Sequence, residues 1–212
     1  MDKLTATKNL RLAQEIAKQV DIDERIIGAF ASINRELFVP NGFKNSAYKL
    51  DALPIGAKQW ISSPVTVAKM TQYLFLRNAD SVLEIGCGSG YQAAILSKLV
   101  RRVCTIERIE PLLREATERF RTLGLHNIFA KAGDGQEGWS RYAPYDRILF
   151  SAAPSHIPQA LIDQLVEGGI IIAPLQQGNA QIITRMVKEG NRLISTPIEA
   201  CEFVPVVDGV ER

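Results

Sequence analysis

Cysteine, histidine and net charge are all scarce in this chain, and each scarcity removes a class of function. The 212 residues include only three cysteines and two histidines. Cys87, Cys104 and Cys201 are odd in number, widely spaced and form no CxxC pair, so neither a disulfide framework nor a redox motif is indicated. His126 and His156 stand alone in loop-like sequence, and no Ser-His-Asp pattern, metal-ligand cluster or paired carboxylates can be assembled around them. With 25 basic and 23 acidic residues the net charge is +2, which gives no electrostatic reason for nucleic acid or an anionic membrane as partner. No segment approaches the roughly 20 apolar residues of a membrane span. The N-terminal stretch MDKLTATKNLRLAQEI is charged from its second residue and lacks the apolar core of a secretory signal. The expectation is a soluble, cytoplasmic enzyme, working as a monomer.

What the chain does have is enough apolar sequence, 46%, to bury one core over residues 1–212. No repeat or low-complexity segment divides it. The first 40 residues predict two helices, one with Leu10, Ala13, Ile16, Ala17 and Val20 inward. The other is opened by an Asp21–Glu24 capping box, with Ile26, Ile27, Phe30 and Ile33 inward. Residues 41–62 read as irregular. Ser63-Pro64 then suits the cap and first turn of a helix burying Val67, Met70 and Leu74. From residue 81 strands and helices alternate: strands at 81–86, 102–107, 127–134, 145–152 and 170–175, helices at 91–100, 111–124 and 157–169. An antiparallel pair closes the chain at 181–187 and 192–204. Such alternation predicts a mostly parallel sheet with helices on both faces and an antiparallel C-terminal edge. An N-terminal helical region, residues 1–80, adjoins this sheet core, residues 81–212.

Ligands on such sheets bind beyond the carboxyl ends of the strands. Three chemistry-bearing segments fall there. Glu84-Ile85-Gly86-Cys87-Gly88-Ser89-Gly90 ends the first strand. Its GxGxG spacing is not the GxGxxG of dinucleotide binders. The acid at Glu84 disfavours a nearby phosphate and suits a sulfonium or amino group. Glu107 ends the second strand, where a carboxylate can accept both hydroxyls of a ribose. Gly133-Asp134-Gly135 ends the third, offering an acceptor to an adenine amino group. Alone, each has a plainer reading: a tight turn, an exposed strand-end acid, a turn aspartate. Together, on three successive strands, they resemble the class I S-adenosylmethionine-dependent methyltransferases, a family with a Rossmann-like sheet.

A narrower resemblance runs from about residue 23 to 209. LPIG (53–56), ISSP (61–64), RELFVP (35–40), LEIGCGSGYQ (83–92), IER (106–108), GDG (133–135), AAP (152–154), EGG (167–169) and FVPVVDG (203–209) are similar, in order, to protein-L-isoaspartate O-methyltransferases. The resemblance implies a seven-stranded sheet with an added N-terminal helical layer. It also implies S-adenosyl-L-methionine as cofactor, with S-adenosyl-L-homocysteine as product. The substrate is then the free carboxylate of isoaspartyl residues in damaged proteins, whose ester closes to a succinimide. By the same resemblance Gly86, Gly88, Gly90, Glu107, Asp134 and Gly135, with Glu84, form the cofactor site, and Ser62 contacts substrate. An ionised carboxylate attacks a sulfonium methyl without a general base, which agrees with the absence of one here.

Two stretches depart from the family pattern. Lys58-Gln59-Trp60 replaces a glycine-rich stretch before Ile61-Ser62, and Ala173 to Gly178 differs in a loop the family assigns to the substrate side. These motivate an alternative, a paralogue that binds cofactor and methylates another acid or repairs little. A base-methylating enzyme would carry a proline-proline-aromatic motif where this chain has Ser151-Ala152-Ala153-Pro154, and a nicotinamide dehydrogenase is disfavoured by the glycine spacing.

Overall fold

The computed structural model of the chain describes residues 2–212. Its centre is a seven-stranded sheet built from β3 (Ser81–Ile85), β4 (Arg102–Glu107), β5 (Ile128–Ala132), β6 (Tyr145–Phe150), β7 (Leu165–Gln177), β8 (Ala180–Glu189) and β9 (Arg192–Cys201). The order is β5-β4-β3-β6-β7-β8-β9; the first five are parallel, and β8 and β9 are added antiparallel. This is the Rossmann-like sheet with an antiparallel edge expected above. A separate two-stranded hairpin, β1 (Leu53–Pro54) with β2 (Trp60–Ile61), lies in the segment read as irregular. Two-residue strands are too short to show periodicity.

Side-chain alternation explains why both faces are covered. Val82, Val103, Leu149, Ile170 and Ile172 pack into one core, with residues of α1 (Lys3–Gln19), α2 (Glu24–Ser32), α3 (Pro64–Tyr73), α4 (Tyr91–Leu96) and α5 (Glu110–Thr122). Their neighbours Leu83, Ile85, Cys104, Ile106, Ile148, Phe150 and Ile171 face the second core, with Leu161 of α6 (Gln159–Asp163). The period-2 alternation therefore sorts apolar residues between two buried faces rather than between core and water. A polar side chain on a central strand, such as Glu84, has no route to solvent and must find its partners inside.

Helix ends follow local chemistry. Ser63 caps α3, its hydroxyl accepting from the Thr66 N–H at 3.1 Å, and Pro64 begins the first turn. Gly124 (φ +63°) follows the last residues of α5 in the left-handed conformation that ends helices.

Several expectations are corrected. The cap of α2 is Asp23, whose carboxylate accepts from the Arg25 N–H at 2.9 Å, not an Asp21–Glu24 box. Leu10 is 48% exposed, and the buried stripe of α1 is Asn9, Leu12, Ala13 and Ile16. The helix expected over 157–169 stops at Asp163, and β7 starts at Leu165, five residues before the expected strand. The glycine pair meant to end that helix instead lies inside β7. Gly168 (φ +70°) takes up the register shift between Tyr145↔Leu165 and Arg147↔Ile170.

Gly90 illustrates how tightly the layers meet. It has φ +88°, and a Cβ placed on it would lie 2.7 Å from the Phe120 ring of α5 and 3.1 Å from Ala116. Gly90→Ala is expected to lower the unfolding free energy by at least about 2 kcal/mol in urea titrations, through strain and overpacking together. Gly178→Ala (φ +61°, open space around) is expected to cost only the backbone share, about 1 kcal/mol. Equal losses in the two variants would contradict the packing account.

Candidate cofactor and substrate cleft

The parallel strands β3, β4 and β6 end together, and a cleft opens beyond their carboxyl ends. It is lined by Glu84, Gly86, Gly88 and Glu107 from the strand ends, by Trp60, Ile61 and Ser62 from the segment before α3, and by Phe203 to Val207 from the end of the chain.

The glycine turn is shaped by left-handed backbone. Gly86 (φ +90°) and Gly88 (φ +53°) occupy conformations that residues with a Cβ rarely adopt. The turn is then tied to the neighbouring strand. The Glu107 carboxylate accepts from the Gly88 N–H at 2.8 Å through one oxygen and from the Ile109 N–H at 2.9 Å through the other. Each oxygen keeps a further lone pair beside the cleft, enough to accept two hydroxyls.

Glu84 lies on β3 opposite Thr105 of β4 and is fully buried. Its two oxygens accept from the Thr105 hydroxyl at 2.7 Å and the Ser151 hydroxyl at 2.9 Å. Burial pushes its pKa up to about 8, against the two hydroxyls that lower it. No cation pairs with it among the described residues. A buried, cleft-lining acid of this kind is completed by a positively charged ligand.

Two of the expected cofactor residues do not border the cleft. Gly90 faces Phe120 instead, as described above. Asp134 stands behind the wall, and its carboxylate accepts from the Gln136 N–H (2.9 Å) and the Gly209 N–H (2.9 Å). Burial works to raise the Asp134 pKa, but these N–H groups, with Arg108, outweigh it and hold the group below its usual range. Its neighbour Gly135 does line the cleft, and a Cβ there would collide with the Ile85 side chain.

The Asp134–Gly209 bond belongs to a C-terminal strap. Val204 and Val206 pair with Ala153, whose N–H donates to Val204 O and whose carbonyl accepts from Val206 N, both at 2.8 Å. Further on, the Glu211 N–H donates to Arg108 O, and the Glu211 carboxylate pairs with the Arg108 guanidinium at 3.0 Å. The strap therefore crosses the strand tips from β6 to β4.

In the segment before α3, Trp60 is 56% exposed, so it is a surface of the cleft and not a packing residue. Ser62 precedes the capping Ser63 and lines the cleft. None of Ala173 to Gly178 lines it; they run along β7 into the tight turn to β8.

Sequence reasoning missed Thr105 and Ser151 as partners of Glu84, Tyr91 as a wall of the cleft, and Arg35 behind it. Ser151 had a usable signal, a hydroxyl at the end of a strand adjacent to β3. Arg35 had none, because it sits in a short 3-10 turn (Arg35–Phe38) and reaches the site only through tertiary packing.

A sequence profile of protein-L-isoaspartate(D-aspartate) O-methyltransferase (PCMT) matches residues 6–211. The chain belongs to this family. It is 57% identical to the protein-L-isoaspartate O-methyltransferase of Helicobacter pylori strain J99, over 98% of this chain and 100% of that one. It is 43% identical to that of Shewanella piezotolerans, over 99% of each. A solved protein-L-isoaspartate O-methyltransferase superposes with a TM-score of 0.88 and 26% identity, spanning 94% of this chain and 66% of that one. A structure of a protein so described from Plasmodium falciparum, in complex with S-adenosyl-L-homocysteine, superposes at 0.84 with 18% identity over 95% and 99%, a likeness of fold. Membership covers both departures noted in the sequence, Trp60 and the 173–178 stretch.

In this family member the raised Glu84 has a consequence for pH. Its unfolded carboxyl ionises near 4.5, whereas the folded one holds its proton to about 8. Between these values the folded chain binds the extra proton, so Glu84 erodes stability as pH rises and adds no further loss above about 8. Glu84→Gln is expected to lack this decline and to melt ~5 °C above the parent at pH 8, with little difference at pH 5, by calorimetry of the ligand-free protein. A pH-independent difference would show that Glu84 is not the titrating group.

Proposed function

We propose that this chain transfers the methyl group of S-adenosyl-L-methionine to the free carboxylate of L-isoaspartyl residues in proteins, which starts their return to aspartate through a succinimide. The observation that carries this reading is that one cleft is lined both by groups suited to a cation and a diol (Glu84, Gly86, Gly88, Glu107) and by an exposed tryptophan with a free serine (Trp60, Ser62).

The residues present suit the cofactor. Gly86 and Gly88 leave room for close approach, Glu107 offers acceptors for a ribose, and Gly135 adds a surface without a side chain. Glu84 offers a negative charge to an ammonium or sulfonium, giving up its proton as the cation arrives. Asp134 acts on the cofactor side by anchoring the strap over the tips, and Gly90 by letting the glycine turn seat against α5. When bound, S-adenosyl-L-methionine supplies a methyl group on a positively charged sulfur, which a carboxylate oxygen takes while the carbon–sulfur electron pair stays on sulfur. Because the attacking carboxylate is already ionised at neutral pH, the chain's task is to align it and exclude water. The Ser62 hydroxyl donates to a substrate oxygen and orients it. The near-balanced charge is consistent with a cytoplasmic monomer acting on proteins rather than on nucleic acid or membrane. No helix among the described residues is long and apolar enough to cross a membrane.

Labelled methyl should pass to an isoaspartyl peptide and not to the matching aspartyl peptide; equal transfer, or none, would refute the assignment. Ser62→Ala is expected to cut kcat/KM at least about tenfold while leaving S-adenosyl-L-homocysteine affinity within about twofold. Glu107→Ala, which orphans the Gly88 and Ile109 N–H groups and removes the diol acceptor, is expected to weaken that affinity about 100-fold or more in calorimetric titrations. Unchanged affinity would place the nucleoside elsewhere.

A further inference from the structure

Arg35 is 0% exposed, yet no carboxylate pairs with it among the described residues. Its hydrogen bonds go to backbone carbonyls: Nη2 donates to Ser62 O at 2.9 Å and, at the limit of contact, to Asp51 O at 3.5 Å. Nε and Nη1 reach no carbonyl or carboxylate, and the one side chain among the described residues that interacts with the guanidinium is Tyr91, whose hydroxyl is neutral. The guanidinium lies over the ring of Tyr91, its carbon 4.6 Å from the centroid, and Tyr91 itself lines the cleft. A buried cation without an anion is costly, and bracing one carbonyl does not require it. An arginine stays charged even when buried, so the cost is not relieved by losing a proton.

The charges lining the cleft show what is missing there. They are Glu84, Glu107 and Arg108, and Arg108 is already paired with Glu211. An arriving carboxylate would meet the Glu107 carboxylate, a buried Glu84 that gives up its proton only beside a cation, and one neutralised cation. The uncompensated positive charge of Arg35 lies directly behind Ser62, separated from that side chain only by the serine's own backbone. We infer that Arg35 is a positioning residue whose unpaired buried charge attracts the anionic substrate to the Ser62 end of the cleft and selects it over neutral analogues. This rests on the methylation reading above and adds to it a source of carboxylate specificity.

The kinetic consequence has a definite sign. Alkylation of a carboxylate by a cationic donor ends with both charges gone. A fixed cation therefore favours the bound carboxylate at least as much as the transition state, and its effect falls on KM and not on kcat. Loss of a residue that merely held Ser62 in place would instead weaken carboxylate and carboxamide peptides alike and lower kcat through misalignment.

The test uses the full chain saturated with S-adenosyl-L-homocysteine. Two peptides are titrated calorimetrically, identical except that the isoaspartyl carboxylate of one is a carboxamide in the other. The parent is expected to favour the carboxylate at least about tenfold. Arg35→Met should reduce that preference to within about twofold while binding the carboxamide peptide as the parent does, and should raise KM at least about tenfold with kcat within about threefold. Arg35→Lys should retain most of the preference. Equal loss of both peptides, or a kcat-only defect, would overturn the inference in favour of a purely structural role. A salt series on the parent needs no variant. The preference should change less than about threefold between roughly 0.05 and 1 M salt, because a buried charge is poorly screened; a collapse would assign it to surface cations and overturn the inference. If the parent neither binds nor methylates the isoaspartyl peptide, the methylation reading and this inference fall together. If the parent turns it over and Arg35→Met keeps the carboxylate preference, only this inference falls.

Discussion

The site depends on one carboxylate that joins two strand ends. Glu107 closes β4 and accepts from the Gly88 N–H of the turn after β3 and from the Ile109 N–H at the start of its own loop. Parallel strands bring these ends to the same level, because β3 and β4 pair in register from Ser81↔Arg102 to Ile85↔Ile106. Hydrogen bonds between a charged acceptor and backbone N–H groups are stronger than neutral ones, and here they hold a glycine turn that would otherwise be conformationally free. Glu107 also lines the cleft, so the residue that shapes the turn borders the ligand space as well.

Two unpaired ionisable groups flank that bridge, and burial governs both. Glu84 faces the helical layer from the middle of a sheet covered on both sides, where only the Thr105 and Ser151 hydroxyls answer it. Arg35 lies under the helical layer with carbonyls and an aromatic ring but no anion. An acid that ionises only beside a cation and a cation that has no anion, each desolvated near the same cleft, suit a reaction that brings a cation and an anion together and removes both charges. In water neither charge would exert much pull; where water is excluded each one does.

The cleft's third side comes from the end of the chain. The 203–211 strap is pinned at Ala153, Asp134 and Arg108, which are far apart in sequence and adjacent only because β6, β5 and β4 end together. Asp134 was read as an adenine acceptor and is engaged by Gly209 and Gln136. The sequence signal, an acid at the tip of a strand, was sound; what the acid does there depended on a segment 75 residues away.

The alternating pattern from residue 81 onward, the glycine spacing at 86–90, and Ser63-Pro64 as a helix start are legible in the chain alone, because each depends on neighbours within a few residues. So was the convergence of Glu84, Gly86, Gly88 and Glu107 on one cleft, since strand-end residues on a parallel sheet converge wherever the strands go. Boundaries set by competition were not legible. The helix expected to run to Gly169 stops at Asp163 because Leu165 pairs with Tyr145 of β6 and Gly168 turns left-handed, and Leu10 lost its inward place to Leu12 because the partner layer decides which stripe is buried. Gly90 and Arg35 mark the same limit. One is a glycine because Phe120 arrives against it, and the other matters because Ser62 and Tyr91 pack around it. Local propensity and periodicity are properties of a segment. Desolvation, close contact and the pairing of charges belong to segments brought together from across the chain, and these only the tertiary structure decided.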